Sequence, residues 1–192
     1  MASILYVSNL AYPARGRRYC DEDIYLSEQL REAFHLAICH PVDAVHLMRG
    51  FDAVVVRNSG PVIDYLDAYD HFKEQARRTG QRVYNPLTGK ADMAGKQYLV
   101  DLTARGYPVI PTVDDPGDVD RLPDVAEYVV KPKAGADSHG LHFTSRDGLA
   151  NKTDLLIQPK IDFRYEVSFY FVDHDFQYAL NAPAPDHRWE LT

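Results

Sequence analysis

No stretch of this 192-residue chain approaches the roughly 18 consecutive apolar residues that a membrane-spanning helix requires. Its start, MASILYVSNL, has neither the charged n-region nor the small-residue cleavage site of a secretory signal, so the expectation is a cytoplasmic protein with no membrane partner. Cysteine is scarce. Cys20 and Cys39 lack ligand-like spacing and are read as free thiols without function. Basic residues are outnumbered, 21 Lys and Arg against 28 Asp and Glu, and they are scattered rather than striped. That pattern argues against a general nucleic-acid surface and favours small-molecule partners. Internal repeats, low-complexity tracts and the phosphate-loop motif G-x-x-x-x-G-K-[ST] are missing as well.

What is present begins as alternating strand and helix. Ile4 to Ser8 reads as a buried strand, followed by a crossover loop containing Pro13, Gly16, Arg15, Arg17 and Arg18. The acidic cluster Asp21, Glu22, Asp23 suits a helix N-terminus, and Leu26, Leu30, Ala33 and Phe34 predict its apolar stripe. FDAVVVR (51–57) is β-branched and stops at Asn58, Ser59, Gly60, the turn chemistry of a strand handing over to a helix. Pro61 opens that helix, Val62, Leu66, Tyr69 and Ala76 mark its apolar side, Gly80 ends it, and Arg82 to Asn85 is a further strand. These features predict a small parallel sheet with helices on its faces, over residues 1–86.

From residue 87 the pattern changes. Ala91 to Arg105 is a helix candidate closed by Gly106, and the Pro- and Asp-rich YPVIPTVDDPGDVDRLPD connects it to a strand-rich module. Strands are predicted over Glu127–Lys131, Leu141–Phe143, Asp154–Gln158, Glu166–Val172 and Phe176–Leu180, the last two forming a hairpin around Asp173, His174 and Asp175. The fold class is α/β: a parallel-sheet domain followed by an α+β domain (87–192).

The most informative segment is YVVKPKAGADSHGLHF, where an apolar strand delivers Lys131 and a loop of small residues follows. A polyphosphate needs a fixed cation and backbone N–H groups that approach closely, and Lys131 with Gly135, Ala136, Ser138 and Gly140 offers both. An ordinary hairpin with a polar loop fits the same residues. The order of segments around it carries more. NPLTGKADMAGKQYLVDLTARGYPVIPT, YVVKPKAGADSHGL, LLIQPKID and RYEVSFYFVDHDFQYAL follow one another in the order found in ATP-grasp proteins, and together they resemble the glutathione synthetase-like and D-alanine ligase-like carboxylate ligases.

This resemblance implies that Lys96 and Lys131 touch ATP phosphates and that the loop from Gly135 to Gly140, with Ser138 and His139, closes over them. Gln158, Pro159, Lys160 and Ile161 match the hinge that presents a backbone edge to adenine, with Val129 and Ile157 as apolar wall. The family often has Glu where this chain has Gln158. Glu166 falls where the family uses an acid for the ribose hydroxyls; an ion pair with Arg164 is the alternative. The implied activity is an ATP-dependent carboxylate–amine or carboxylate–thiol ligase working through an acylphosphate, with a small-molecule carboxylate and amine as partners. The resemblance is also compatible with a homodimer.

The family's late acidic, Asn-containing magnesium element has no counterpart in NAPAPDHRWELT, so the expectation is an ATP-grasp domain truncated at its C-terminal end. Magnesium is then expected only in a longer protein, this chain alone should be inactive, and its catalytic residues and metal ligands stay unassigned. A non-catalytic or regulatory ATP-binding module and a small-molecule kinase are the rival readings. Arg57, Asn58 and Ser59, at the end of a buried strand where open α/β sheets place ligands, are the candidate substrate contacts. His40, Asp43 and His46 are spaced as metal ligands would be on a helix, which Pro41 interrupts.

Overall fold

A computed structural model of the chain describes residues 1–12, 18–58, 62–84, 87, 96–135, 140–149, 153–183 and 190–191. The first element, β1 (Ser3–Ser8), is buried on both faces, with Leu5 and Val7 on one side and Ile4 and Tyr6 on the other. Such two-sided burial belongs to a central parallel strand. Its neighbours are β2 (His35–Cys39) and β3 (Ala53–Asn58), and β4 (Arg82–Tyr84) completes a parallel sheet in the order β2-β1-β3-β4. The strand β2 is not among the elements expected from the sequence. HLAIC is a short apolar run without turn residues on both flanks, and its pairing with β1 is what makes it a strand.

Helix α1 (Tyr19–Leu30) corrects a second expectation, because its buried residues are Asp23 and Ser27 rather than the stripe at Leu26, Leu30, Ala33 and Phe34. Ile24 and Tyr25 are exposed, and Ala33 and Phe34 lie beyond the helix end. The reason is polar: Asp23 turns inward to meet Tyr6, Ser8 and Arg57. A short helix α2 (Ala44–Leu47), flanked by 3₁₀ turns at Pro41–Asp43 and Met48–Gly50, precedes β3. Helix α3 (Leu66–Thr79) meets the expected pattern in part: Tyr69 and Ala76 are buried, and it stops at Gly80 in the left-handed conformation. Leu66 is exposed, however, Phe72 takes a buried place, Val62 is buried in a separate 3₁₀ turn before the helix, and Pro61 lies outside the described residues. The buried side of α3 joins Leu5, Val7, Met48, Val54, Val56 and Val62 in one core, each side chain contributing about 1.5–3 kcal/mol.

After α4 (Tyr98–Ala104), closed by Gly106 at positive φ, comes an antiparallel sheet in the order β6-β5-β7, made of β5 (Tyr128–Pro132), β6 (His142–Thr144) and β7 (Leu155–Pro159). The part of the expected helix from Ala91 to Gly95 lies outside the described residues. Tyr128, Val130 and Ile157 form this sheet's core with Val113, Val119, Leu122 and Leu149. Met1–Pro159 forms one compact unit and Lys160–Thr192 a second. The boundary expected after Pro86 falls beside residues that are not described. The second unit holds the expected hairpin, β8 (Tyr165–Val172) with β9 (Asp175–Pro183), and adds β10 (Glu190–Leu191), paired antiparallel to β9 in the segment from which no strand was expected.

Candidate nucleotide site

Strand β5 alternates, with Tyr128 and Val130 buried in the core and Val129 and Lys131 only partly covered on the opposite face. A period-two strand anchored by buried residues therefore holds Lys131 in a fixed direction. Its partner β7 places Gln158 opposite Val129 and Leu156 opposite Lys131. Ile157, expected as apolar wall beside the nucleotide, pairs with Val130 and belongs to the core face instead, so Leu156 takes the Lys131 side.

The second lysine arrives from a different segment. Lys96 donates its backbone N–H to the Lys133 carbonyl at 3.3 Å and its Nζ to the Gly135 carbonyl at 2.8 Å, which fastens it to the turn after β5. Burial, and behind it the charge of Lys96, push Lys131 below the ordinary lysine pKa. No carboxylate among the described residues pairs with Lys131. Lys133, two residues on, is different: its Nζ lies 2.8 Å from Asp114 Oδ2. That ammonium, followed by the Gln97 amide at 3.1 Å, holds the Asp114 carboxyl below its usual range.

Gly140 closes the loop at φ +70°, and a Cβ there would stand 2.6 Å from Pro132 Cγ. The position therefore requires glycine on conformation and on space. Gln158 is 4% exposed and donates through Nε2 to Thr112 Oγ1 at 2.8 Å, leaving its amide oxygen as an acceptor. The structure thus brings Lys96, Lys131, Gly135 and Gly140 around one turn, with Gln158 on the adjoining strand. Ser138 and His139 lie outside the described residues.

In the second unit, Lys160 and Ile161 are exposed just after β7, and Glu166 is exposed on β8 opposite Ala182. No ion pair joins Glu166 to Arg164 among the described residues.

Two of the candidate substrate residues, Arg57 and Asn58, occupy the C-terminal end of β3. Arg57 donates through Nη2 to Glu22 Oε2 at 3.1 Å, and its Nε lies 3.5 Å from Asp23 Oδ1. Asp23, fully buried, also accepts from Tyr6 Oη at 3.3 Å and from Ser8 Oγ. Burial and then the Asp23 charge push the Tyr6 phenol well above its ordinary pKa. Asn58 pairs with Ser8 across the sheet, while Ser59, Arg15 and Arg17 lie outside the described residues. The sequence reading missed Asp23, Tyr6 and Ser8; an acid inside an acidic helix start gives no sign of turning inward. His40 caps the turn before α2 by accepting from Val42 N–H, and no group of three His, Cys, Asp or Glu among the described residues is placed to hold a metal.

No family model matches the chain. It is 29% identical over 159 residues to the cycloserine biosynthesis protein DcsG of Streptomyces lavendulae, an alignment covering 70% of this chain and 52% of that protein. It thus spans about half the length of that curated relative. Among solved structures it is similar to D-cycloserine synthetase DcsG, with a TM-score of 0.71 at 24% identity over 98% of this chain and 71% of the other. D-alanine–D-alanine ligase from Bacillus anthracis superposes with a TM-score of 0.62 at 10% identity, covering 99% of this chain and 69% of that one. The chain has the ATP-grasp fold. PsnB, an ATP-grasp ligase, is a further match at a TM-score of 0.54 and 17% identity, covering 100% of this chain and 74% of its own. In this ATP-grasp fold the parallel sheet comes first, and the antiparallel sheet bearing Lys131 follows it. No described helix is long and apolar enough to cross a membrane.

Proposed function

We propose that this chain forms the nucleotide-binding part of an ATP-dependent ligase that joins a carboxylate to an amine or thiol. The observation that carries the reading is Lys131: a partly buried ammonium on a rigid strand, beside a second lysine and without an acidic partner among the described residues. A desolvated ammonium with a second cation beside it is costly by itself and is relieved by a polyanion. Lys96 and Lys131 would bind ATP phosphates through charge-assisted hydrogen bonds worth about 1.5–3 kcal/mol each. Gly140 permits a close approach to Pro132, and Ser138 and His139, just before it in sequence, would contact the phosphates. The Gln158 amide oxygen and the backbone of Lys160 and Ile161 would meet adenine, and Glu166 the ribose hydroxyls.

In this reading the γ-phosphoryl group passes to a carboxylate oxygen, giving an acylphosphate and ADP, and the amine or thiol then displaces phosphate at the acyl carbon. The protein's share is positioning and stabilisation of charge. Magnesium, when bound, would neutralise phosphate charge, and the reading assigns it no residue in this chain. Arg57 and Asn58, with Ser59, would face the substrate at the end of the parallel sheet. The DcsG and D-alanine–D-alanine ligase likenesses support small-molecule substrates, carried here as a proposal.

Calorimetry on Lys131→Ala tests the nucleotide claim. A loss of at least about tenfold in ATP affinity, about 1.4 kcal/mol, is expected, and unchanged affinity removes it. ADP release that requires both an added carboxylic acid and an amine separates the ligase from a kinase or a binding module.

A further inference from the structure

Away from the lysines, α2 with the turn after it and α3 enclose an open groove of about 420 Å³ lined by Val45, His46, Arg49, His71, Gln75 and Arg78. From the sequence His46 carries only the expectation of a metal ligand, and none of these residues belongs to the proposed nucleotide site. His71, Gln75 and Arg78 follow one another at i, i+4 and i+7 on α3 and so share a face, and His46 and Arg49, three apart, meet them from the other side. No acidic side chain is among the lining residues, although the chain carries a formal charge of -7. Arg78 is already oriented, donating through Nε to Gln75 Oε1 at 3.2 Å and through Nη2 to the same oxygen.

We propose that this groove is a second anion site that binds a small phosphorylated molecule of sugar-phosphate type. Guanidinium and imidazole donors enter from both walls, and a phosphate has enough terminal oxygens to engage donors from two directions, whereas a carboxylate presents one edge. The groove, about 420 Å³, has room for an organic body beside the phosphate. Val45 is the one apolar lining residue and no Phe, Tyr or Trp is among them, so that body is hydroxylated rather than a stacked base.

The test reads the two imidazoles directly by NMR on the labelled full chain, with their Cε1–H signals assigned by loss in His46→Asn and His71→Asn. Ribose 5-phosphate, inorganic phosphate, ribose and citrate are titrated separately. Ribose 5-phosphate is expected to move both signals together and saturably, with a Kd of about 1 mM or tighter. Inorganic phosphate should act more weakly and ribose not at all. Arg49→Gln combined with Arg78→Gln, both exposed and so replaceable without unfolding, should weaken the effect at least about tenfold. Lys131→Ala should leave it unchanged, which separates this site from the nucleotide site. Absence of saturable movement, an equal response to ribose, tighter binding of citrate, or indifference to the double arginine variant would each overturn the assignment.

Discussion

Lys131 and Arg57 are each the next-to-last residue of a strand, yet the molecule treats their charges in opposite ways. Arg57 is met by Glu22 and by the buried Asp23, so its charge is cancelled within the fold. Lys131 has Lys96 as a charged neighbour and no carboxylate partner among the described residues. Lys133 shows that compensation was available two residues away, because Asp114 takes that lysine and not Lys131. A cation neutralised from within holds the structure together. One without an acidic partner at a covered position is, in the proposed function, where the phosphates would bind.

The contrast can be broken most severely at Asp23. Replacing it with Ala strips a partner from Arg57, Tyr6 and Ser8 together, and a loss of about 3 kcal/mol in urea unfolding is expected. A change within about 0.5 kcal/mol would mean that the cluster is not structural. Gly140→Ala comes next. Positive φ and the approach to Pro132 should together cost about 2–3 kcal/mol, against about 1 kcal/mol for Gly80→Ala, where φ is also positive but nothing lies within 4 Å. Equal costs at the two glycines would remove the steric part of the account.

Lys131→Met should move stability the other way, by several tenths of a kcal/mol in favour of the fold, since it removes a desolvated charge that has no ion-pair partner among the described residues. Destabilisation beyond about 1 kcal/mol would show that Lys131 has an internal partner after all.

The smallest effect is on pH. The folded pKa of Lys131 lies below its ordinary 10.5, so between the two values the unfolded chain holds the proton more tightly and this residue's contribution to stability rises with pH. ATP binding should follow the opposite sign, because a polyphosphate favours the ammonium and its affinity falls as pH climbs through that window. Calorimetric titrations of wild type and Lys131→Arg across the window check this; the variant should show the weaker dependence.

Much of the fold was legible because local chemistry and tertiary packing agree. The β-branched runs at β1 and β3 and the Gly80 stop of α3 all form where their residues indicate. In the site, YVVKPK could be read as a strand delivering a lysine since the alternation that buries Tyr128 and Val130 fixes the side that Lys131 takes. Helix α1 was misread at its buried face because apolar periodicity assumes that the sheet offers an apolar surface. Here it offers Tyr6, Ser8 and Arg57, and a carboxylate is the better match. Ile157 was assigned to the nucleotide side for want of its register with Val130, which is a property of the pairing and not of the segment.

The sequence by itself determined most of the segments that form strands and helices, where the lysine-bearing strand lies and which glycines its turns use, since these follow from periodicity and backbone sterics over a few residues. By contrast, β2 and β10 became strands only through their pairing. Only the tertiary structure decided which charges are cancelled. Lys96 reaches Gly135, Asp114 reaches Lys133 and Asp23 reaches Arg57 across long separations in the chain, and electrostatic compensation depends on distance in space, which local sequence does not encode.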